Sequence, residues 1–404
     1  MQRFKFPSNI IQRETYLSRI EPFINKPIAK VFTGQRRVGK SFMLFQIMKI
    51  ILKKDTNANI VYINKEDIAF EDIKIASDLN KYIMSHSSAE KVNYIFIDEI
   101  QNISDFEKAI RSLLLNENND IYITGSNANL LSGELSTLLA GRTIEFNIHS
   151  LSYIEFLTFH KLTDSDENLL KYFKYGGLPY LINLDLTDDI VFEYLKNIYT
   201  TIVYRDVVSR YNIRSTNFLE RLIRFLADNI GSLFSAKRIS DFLKSQHVNI
   251  AHNQVQAFND YLTNAFLIDK VQRYDVVGKR IFEVGEKYYF ENCGIRNAVV
   301  GYKPGDNAKL LENIVYNQLL YKGYEVKIGW LQTQEIDFVA TKNNETVYLQ
   351  VALRIDNDKT IEREFGNLLK IKDNYPKIVI AMDEQFKNTY KGITYLSIRK
   401  FLMS

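Results

Sequence analysis

An α/β class with a parallel sheet at its front is predicted by three observations. A glycine-rich loop lies between an apolar run and an apolar helical pattern, a second apolar run ends in two adjacent acids, and strand-like and helical runs recur near the C-terminus. The loop is Gly34-Gln35-Arg36-Arg37-Val38-Gly39-Lys40-Ser41, preceded by Ile28 to Phe32 and followed by Phe42 to Ile47. It matches the phosphate-binding pattern G-x-x-x-x-G-K-[ST] in the strand–loop–helix context that pattern requires. Gly34 and Gly39 let the backbone turn so that successive N–H groups point inward, and the helix N-terminus adds positive potential. Gly34 to Phe42 is therefore the candidate ATP-binding segment, with Lys40 on the β- and γ-phosphates and the Ser41 hydroxyl on Mg2+. The competing reading of these residues alone is a glycine-rich structural turn.

The second run, Lys91 to Ile97, ends in Asp98-Glu99. A run apolar at nearly every position suits a central strand buried on both faces, and ligands gather at the carboxyl ends of such strands. Asp98 is placed to hold Mg2+ and Glu99 to orient and polarise water. Read locally, the two acids are instead the first turn of a helix over Gln101 to Leu115, where acids are common. A third strand, Asp120 to Gly125, ends in Ser126-Asn127. Either side chain can contact a γ-phosphate or its attacking water, or the segment is an ordinary turn. Beyond an apolar helix over Leu130 to Leu139 comes Gly141-Arg142. This arginine is a candidate for stabilising transition-state charge, in its own subunit or a neighbour's, against the plainer role of a surface residue.

The chain has 404 residues, 46% hydrophobic and 25% charged, which suits two or three domains of ordinary globular composition. A net charge of +4 spread along the chain demands no nucleic-acid partner, although local patches can serve one. One cysteine, Cys293, excludes an internal disulfide and a cysteine zinc site, and points to a reducing cytoplasm. No apolar run reaches bilayer-spanning length, and the first residues lack the apolar core of a signal peptide, so no membrane partner is expected.

Several segments together resemble the AAA-type ATPases of bacteria and archaea that carry a C-terminal domain of unknown function. These are Thr33 to Ser41, Phe96 to Gln101, Thr124 to Asn127, Leu131 to Arg142, Tyr175 to Pro179, Arg205 to Val208, Asp228 to Gly231 and Glu335 to Val339. The resemblance spans nearly the whole chain, with its most specific motifs in the first third. It implies an AAA-type P-loop NTPase domain with Lys40 and Ser41 as phosphate and Mg2+ contacts, Asp98 and Glu99 as the metal-binding and water-activating pair, and Asn127 as the residue that senses the γ-phosphate.

The rest of the chain divides into a helical lid or linker over 151–204, a winged-helix domain over 205–300 and a restriction-endonuclease-like α/β domain over 301–404, behind an ATP-binding domain over 1–150. The middle assignment rests on helices from Phe218, from Ser235 (burying Ile239, Phe242 and Leu243) and from Ala251, followed by a hairpin over Phe266 to Tyr274 and Arg280 to Val284. The third helix carries His252, Asn253, Gln254, Gln256 and Asn259 but no Arg or Lys. Lys237, Arg238, Lys244, Lys279 and Arg280 form a candidate phosphate-contacting rim. At the end, a helix with Glu312, a three-strand meander, a helix over Thr360 to Asn374 and a strand over Lys377 to Ala381 follow the nuclease order. Asp337 takes the first acidic position, but the acid-x-Lys triplet is Gln350-Val351-Ala352, so an inactive centre is predicted. The function expected is Mg2+-dependent ATP hydrolysis that drives movement of the C-terminal domains, with DNA as a candidate target. The alternative is a slow ATP-dependent switch or scaffold for a protein partner; self-association is open in either case.

Overall fold

A computed structural model describes residues 6–128, 139, 141–248, 250–355, 357–383 and 388–404. The chain forms two compact units, Met1–His149 with Asn264–Phe266, and Ser150–Thr263 with Leu267–Ser404.

The first unit begins with α1 (Glu14–Ile20) and then alternates strand and helix: β1 (Ala29–Thr33), α2 (Lys40–Lys54), β2 (Asn59–Asn64), α3 (Ala76–His86), β3 (Asn93–Asp98), α4 (Phe106–Leu113), β4 (Asn119–Thr124) and β5 (Thr143–Asn147). The five strands make one parallel sheet in the order β2-β3-β4-β1-β5. Every residue of β1, β3 and β4 is buried, as central parallel strands covered on both faces require. Ile95, Ile97, Ile121, Ile123 and Val31 pack against α3 and α4 residues such as Leu79, Ile83, Ala109 and Ile110. In α2, Met43, Leu44, Ile47, Met48 and Ile51 recur at helical spacing and form its buried stripe. The helix expected from Gln101 starts only at Phe106, after a short 3-10 turn over Ile100–Asn102. Between them Ile103 is extended and Asp105 left-handed, while the Ser104 backbone bonds to Lys74 and Ala76 in a bridge to Ile75, so this segment is not helical. The expected Leu130 to Leu139 helix lies outside the described residues except for Leu139.

The second unit opens with α5 (Tyr153–His160), α6 (Asp166–Tyr175) and α7 (Asp188–Thr201), which runs on into a π-helical stretch over Ile202–Ser209. Next come α8 (Thr216–Asp228), α9 (Ala236–Ser245), α10 (His252–Asn264), the hairpin β6 (Ile268–Asp275) and β7 (Arg280–Phe290), and α11 (Cys293–Val300). The end comprises α12 (Asn307–Tyr321), β8 (Glu325–Leu331), β9 (Gln334–Lys342), β10 (Glu345–Ala352), α13 (Asp358–Leu369), β11 (Lys377–Ala381), β12 (Thr389–Tyr390), β13 (Ile393–Ser397) and α14 (Ile398–Met403).

The order of helices and hairpin is as the sequence predicts, but the hairpin is no free wing. β6 pairs in parallel with β8, so the hairpin is the edge of an eight-stranded sheet ordered β12-β13-β11-β10-β9-β8-β6-β7. Residues 205–300 and 301–404 thus share one sheet rather than forming separate domains, and the 151–204 helices belong to the same compact unit. Phe242, expected in the core, is 46% exposed and rests only its ring against Phe225. α13 stops at Leu369, short of Asn374, because the chain must turn at Asp373 to Pro376 to enter β11.

Candidate active site

The carboxyl ends of β1, β4 and β3 lie level in the first sheet. Phe32 is paired with Thr124, and Ile123 with Ile97, so the loop after β1, the Gly125–Asn127 tip and Asp98-Glu99 emerge along one edge. Gly34 has φ +138°, and a Cβ there would lie 2.2 Å from the Ile148 carbonyl oxygen, so only glycine fits. Gly39, at φ +99°, forms the left-handed entry to α2. Gln35, Val38 and Lys40 are buried, Arg37 is exposed with φ 71°, and Phe42 is 43% exposed with its ring edge-on to Phe45. The Lys40 ammonium donates to the Gly34 and Gln35 carbonyls at 2.9 and 3.0 Å, folded over the mouth of its own loop. Arg36 reaches Glu66 at 3.3 Å.

Asp98 accepts hydrogen bonds from the hydroxyls of Ser41, Thr124 and Tyr62. Burial pushes its carboxyl above the ordinary range, against the pull of the Ser41 and Thr124 hydroxyls. Its neighbour behaves oppositely. Burial would raise Glu99, but the Lys40 and Arg36 charges, then hydrogen bonds from Gln101 and Ser126, bring it below the usual carboxylate value. Glu99 is held in the left-handed region at φ 57°, with its N–H donated to Thr124 Oγ1 at 3.0 Å. Such a sparsely populated conformation persists only where surrounding contacts impose it. The two adjacent carboxyls thus differ in proton affinity, and Glu99 is the one kept ionised.

Of the two candidates at the β4 tip, Ser126 is hydrogen-bonded to Glu99 at 3.3 Å, while Asn127 is buried beside it. Arg142 stands elsewhere. It is exposed, and its carbonyl accepts from Ala29 N at 2.9 Å at the amino end of β1. At about 3.3 Å per strand residue, the five residues of β1 put it roughly 15 Å from the loop. Arg142 is therefore not brought to the site of its own chain, because β5 runs parallel to β1 and Arg142 precedes its first residue.

Sequence reasoning missed four contributors. Gln101 and Thr124 lay inside recognised segments without a role. Tyr62 and Arg13 had no local signal, since they reach the site only through the β2–β3 pairing and the packing of α1 on α2. Arg13, 3% exposed, donates to the carbonyls of Val38 at 3.2 Å and His149 at 2.9 Å.

The predicted nuclease-like residues meet in the second unit. Asp337 accepts from Val351 N at 2.7 Å, and Gln350 sits across the strand pair from it. A lysine enters from β7, beyond the predicted end of that strand: Lys287 Nζ lies 2.8 Å from Glu312 and 2.6 Å from Glu335. Burial and then the Glu312 charge push Asp337 well above the carboxylate range. Among the described residues no group of three or more His, Cys, Asp or Glu is arranged to hold a metal.

Residues 26–157 match the AAA domain family, and residues 166–306 match a domain of unknown function, DUF8612. An uncharacterized protein of Haemophilus influenzae is 38% identical over 98% of this chain and 99% of its own length. The chain belongs to the same family of AAA-domain proteins. An uncharacterized protein of Methanocaldococcus jannaschii extends that family to archaea, at 30% identity over 89% of this chain and 83% of its own. Among solved structures, the AAA-domain chain is similar to the Walker-type ATPase paby2304 of Pyrococcus abyssi, with a TM-score of 0.50 and 16% identity over 72% of this chain and 96% of that one. At that identity the likeness concerns the fold. No helix among the described residues is long and apolar enough to cross a membrane.

Proposed function

We propose that this AAA-domain protein binds ATP with Mg2+ at Gly34 to Phe42, hydrolyses it, and uses the nucleotide state to govern its second unit. The observation that carries this reading is the meeting of Lys40, Ser41, Asp98 and Glu99 along one sheet edge. The loop N–H groups bind the phosphates, and Lys40 exchanges the Gly34 and Gln35 carbonyls for β- and γ-phosphate oxygens. Ser41 and Asp98, already joined by a hydrogen bond, present the hard oxygen donors that suit Mg2+. When bound, that ion supplies charge neutralisation on the phosphate oxygens. Glu99, kept ionised, orients and polarises the attacking water, while Gln101 and Ser126 hold its carboxylate. Asn127 is assigned the sensing of the γ-phosphate, and Arg142 can serve only a neighbouring copy's nucleotide.

Glu99→Gln tests the chemistry. It is expected to bind ATP as the native chain does and to turn it over at least about a hundredfold more slowly. Native-like turnover in a steady-state phosphate-release assay would remove Glu99 from its role. Lys40→Ala is expected to lose ATP binding in the same preparation.

The second unit is read as a nuclease-like scaffold without cleavage activity, an assignment supported by Lys287, which neutralises two of the three carboxylates. Exposed Lys237, Arg238, Lys244, Lys279 and Arg280 favour DNA as its target. The absence of Arg and Lys from α10 favours the alternative, a slow nucleotide-dependent switch for a protein partner. Binding of labelled duplex DNA over a salt series separates them: affinity that falls steeply with salt supports phosphate contacts, and no binding at low salt leaves the protein-partner reading. The same duplex incubated with Mg2+ is expected to stay uncut.

A further inference from the structure

Where an N–H of a phosphate-binding loop turns inward, the carbonyl of the same peptide unit must turn outward. Peptide units are planar and trans, and the oxygen of one residue and the N–H of the next therefore point to opposite sides. Val38 and Gly39 share such a unit. Val38 is fully buried, so its outward carbonyl has no exposed surface from which to draw a partner. Gly39, at φ +99°, carries no Cβ to resist rotation of that peptide. What meets the Val38 oxygen is the Arg13 guanidinium at 3.2 Å, which also donates to the His149 carbonyl at 2.9 Å.

Arg13 is itself fixed on several sides. Its own N–H donates to the buried Gln46 side chain of α2 at 2.9 Å, and its guanidinium lies 4.5 Å from the centre of the Tyr16 ring. The Tyr16 hydroxyl accepts from His149 N at 2.9 Å. Both carbonyl bonds come from one nitrogen, Nη1, and the planar guanidinium that carries it is fixed against the Tyr16 ring, a hold that an ammonium on a flexible stem lacks.

We infer that Arg13 is a positioning residue for the nucleotide, holding the Val38–Gly39 peptide so that the Gly39 N–H faces the phosphates. The inference rests on the nucleotide-binding reading above. It makes the N-terminal arm a part of the phosphate cradle, through the backbone and without contact to the ligand.

The test compares Arg13→Met, Arg13→Lys and a surface control, Lys54→Met, in the full chain. ATP affinity is measured by calorimetric titration with Mg2+ at a temperature where circular dichroism finds each variant fully folded, and KM and kcat by phosphate release. Arg13→Met is expected to lose about tenfold or more in ATP affinity and to raise KM more than it lowers kcat, while affinity for adenosine alone stays unchanged. Arg13→Lys is expected to recover only part of the loss, and Lys54→Met to behave as the native chain. If folded Arg13→Met binds ATP as tightly as the native chain, Arg13 is merely structural and the inference is overturned. If the native chain itself binds no ATP, the nucleotide reading falls and takes this inference with it.

Discussion

At Gly34 a methyl group has nowhere to go. The residue combines a left-handed φ with a backbone carbonyl where its Cβ would be, and neither partner can yield without moving β1 or the Ile148 segment. Gly34→Ala is expected to cost about 2 kcal/mol or more, read as a lower urea midpoint. Gly305→Ala, with nothing within 4 Å of the added carbon, is the control that should leave the midpoint nearly unchanged. At this scale much of the site was legible, because Gly34, Gly39, Lys40 and Ser41 act through backbone conformation and short spacing. Asp98 and Glu99 were legible as a pair, but their divergent proton affinities were not. Those depend on burial first, then on Ser41 and Thr124 at Asp98 and on Lys40 and Arg36 at Glu99, brought together by strand pairing and the loop fold.

Among elements, β1 and β4 are joined by more than their ladder. Lys30 and Asp120 form a fully buried ion pair near the amino ends of these strands, and Asp120 also accepts from Tyr122 Oη at 2.7 Å and Asn25 N at 2.8 Å. Burial lowers the proton affinity of Lys30, and Asp120 opposes that shift. Removing one partner of such a pair strands the other, so Lys30→Met is expected to lose about 3 kcal/mol in denaturant unfolding. The pair lies at the opposite end of β1 from the loop. ATP affinity of the folded variant should therefore be unchanged, which separates this residue from Arg13. The apolar run predicted β1 without distinguishing Lys30 from a surface lysine, since its partner is 90 residues away. The hairpin shows the same limit. Its strands were visible from alternation, but its pairing with β8 was not.

The whole molecule has two compact units, with one core around the parallel sheet and another around the C-terminal sheet. Calorimetric unfolding is expected to show two transitions. Saturating Mg2+ and ATP should raise only the transition that Lys30→Met lowers, by about 2.7 kcal/mol of added stability at a ligand concentration one hundred times Kd. A single transition, or an equal shift of both, would contradict separate cores with one nucleotide site.

By itself the sequence determined the strand–loop–helix cradle, the acidic pair and the order of elements, because hydrophobic period, glycine placement and motif spacing all act over a few residues. Tertiary structure alone decided that Lys287 fills the carboxylate cluster, that Arg142 lies beside the amino end of β1 rather than at the loop, and that Arg13 meets the Val38 carbonyl. Those outcomes depend on which strands pair and which helices pack, and contacts between residues far apart in the chain leave no local pattern.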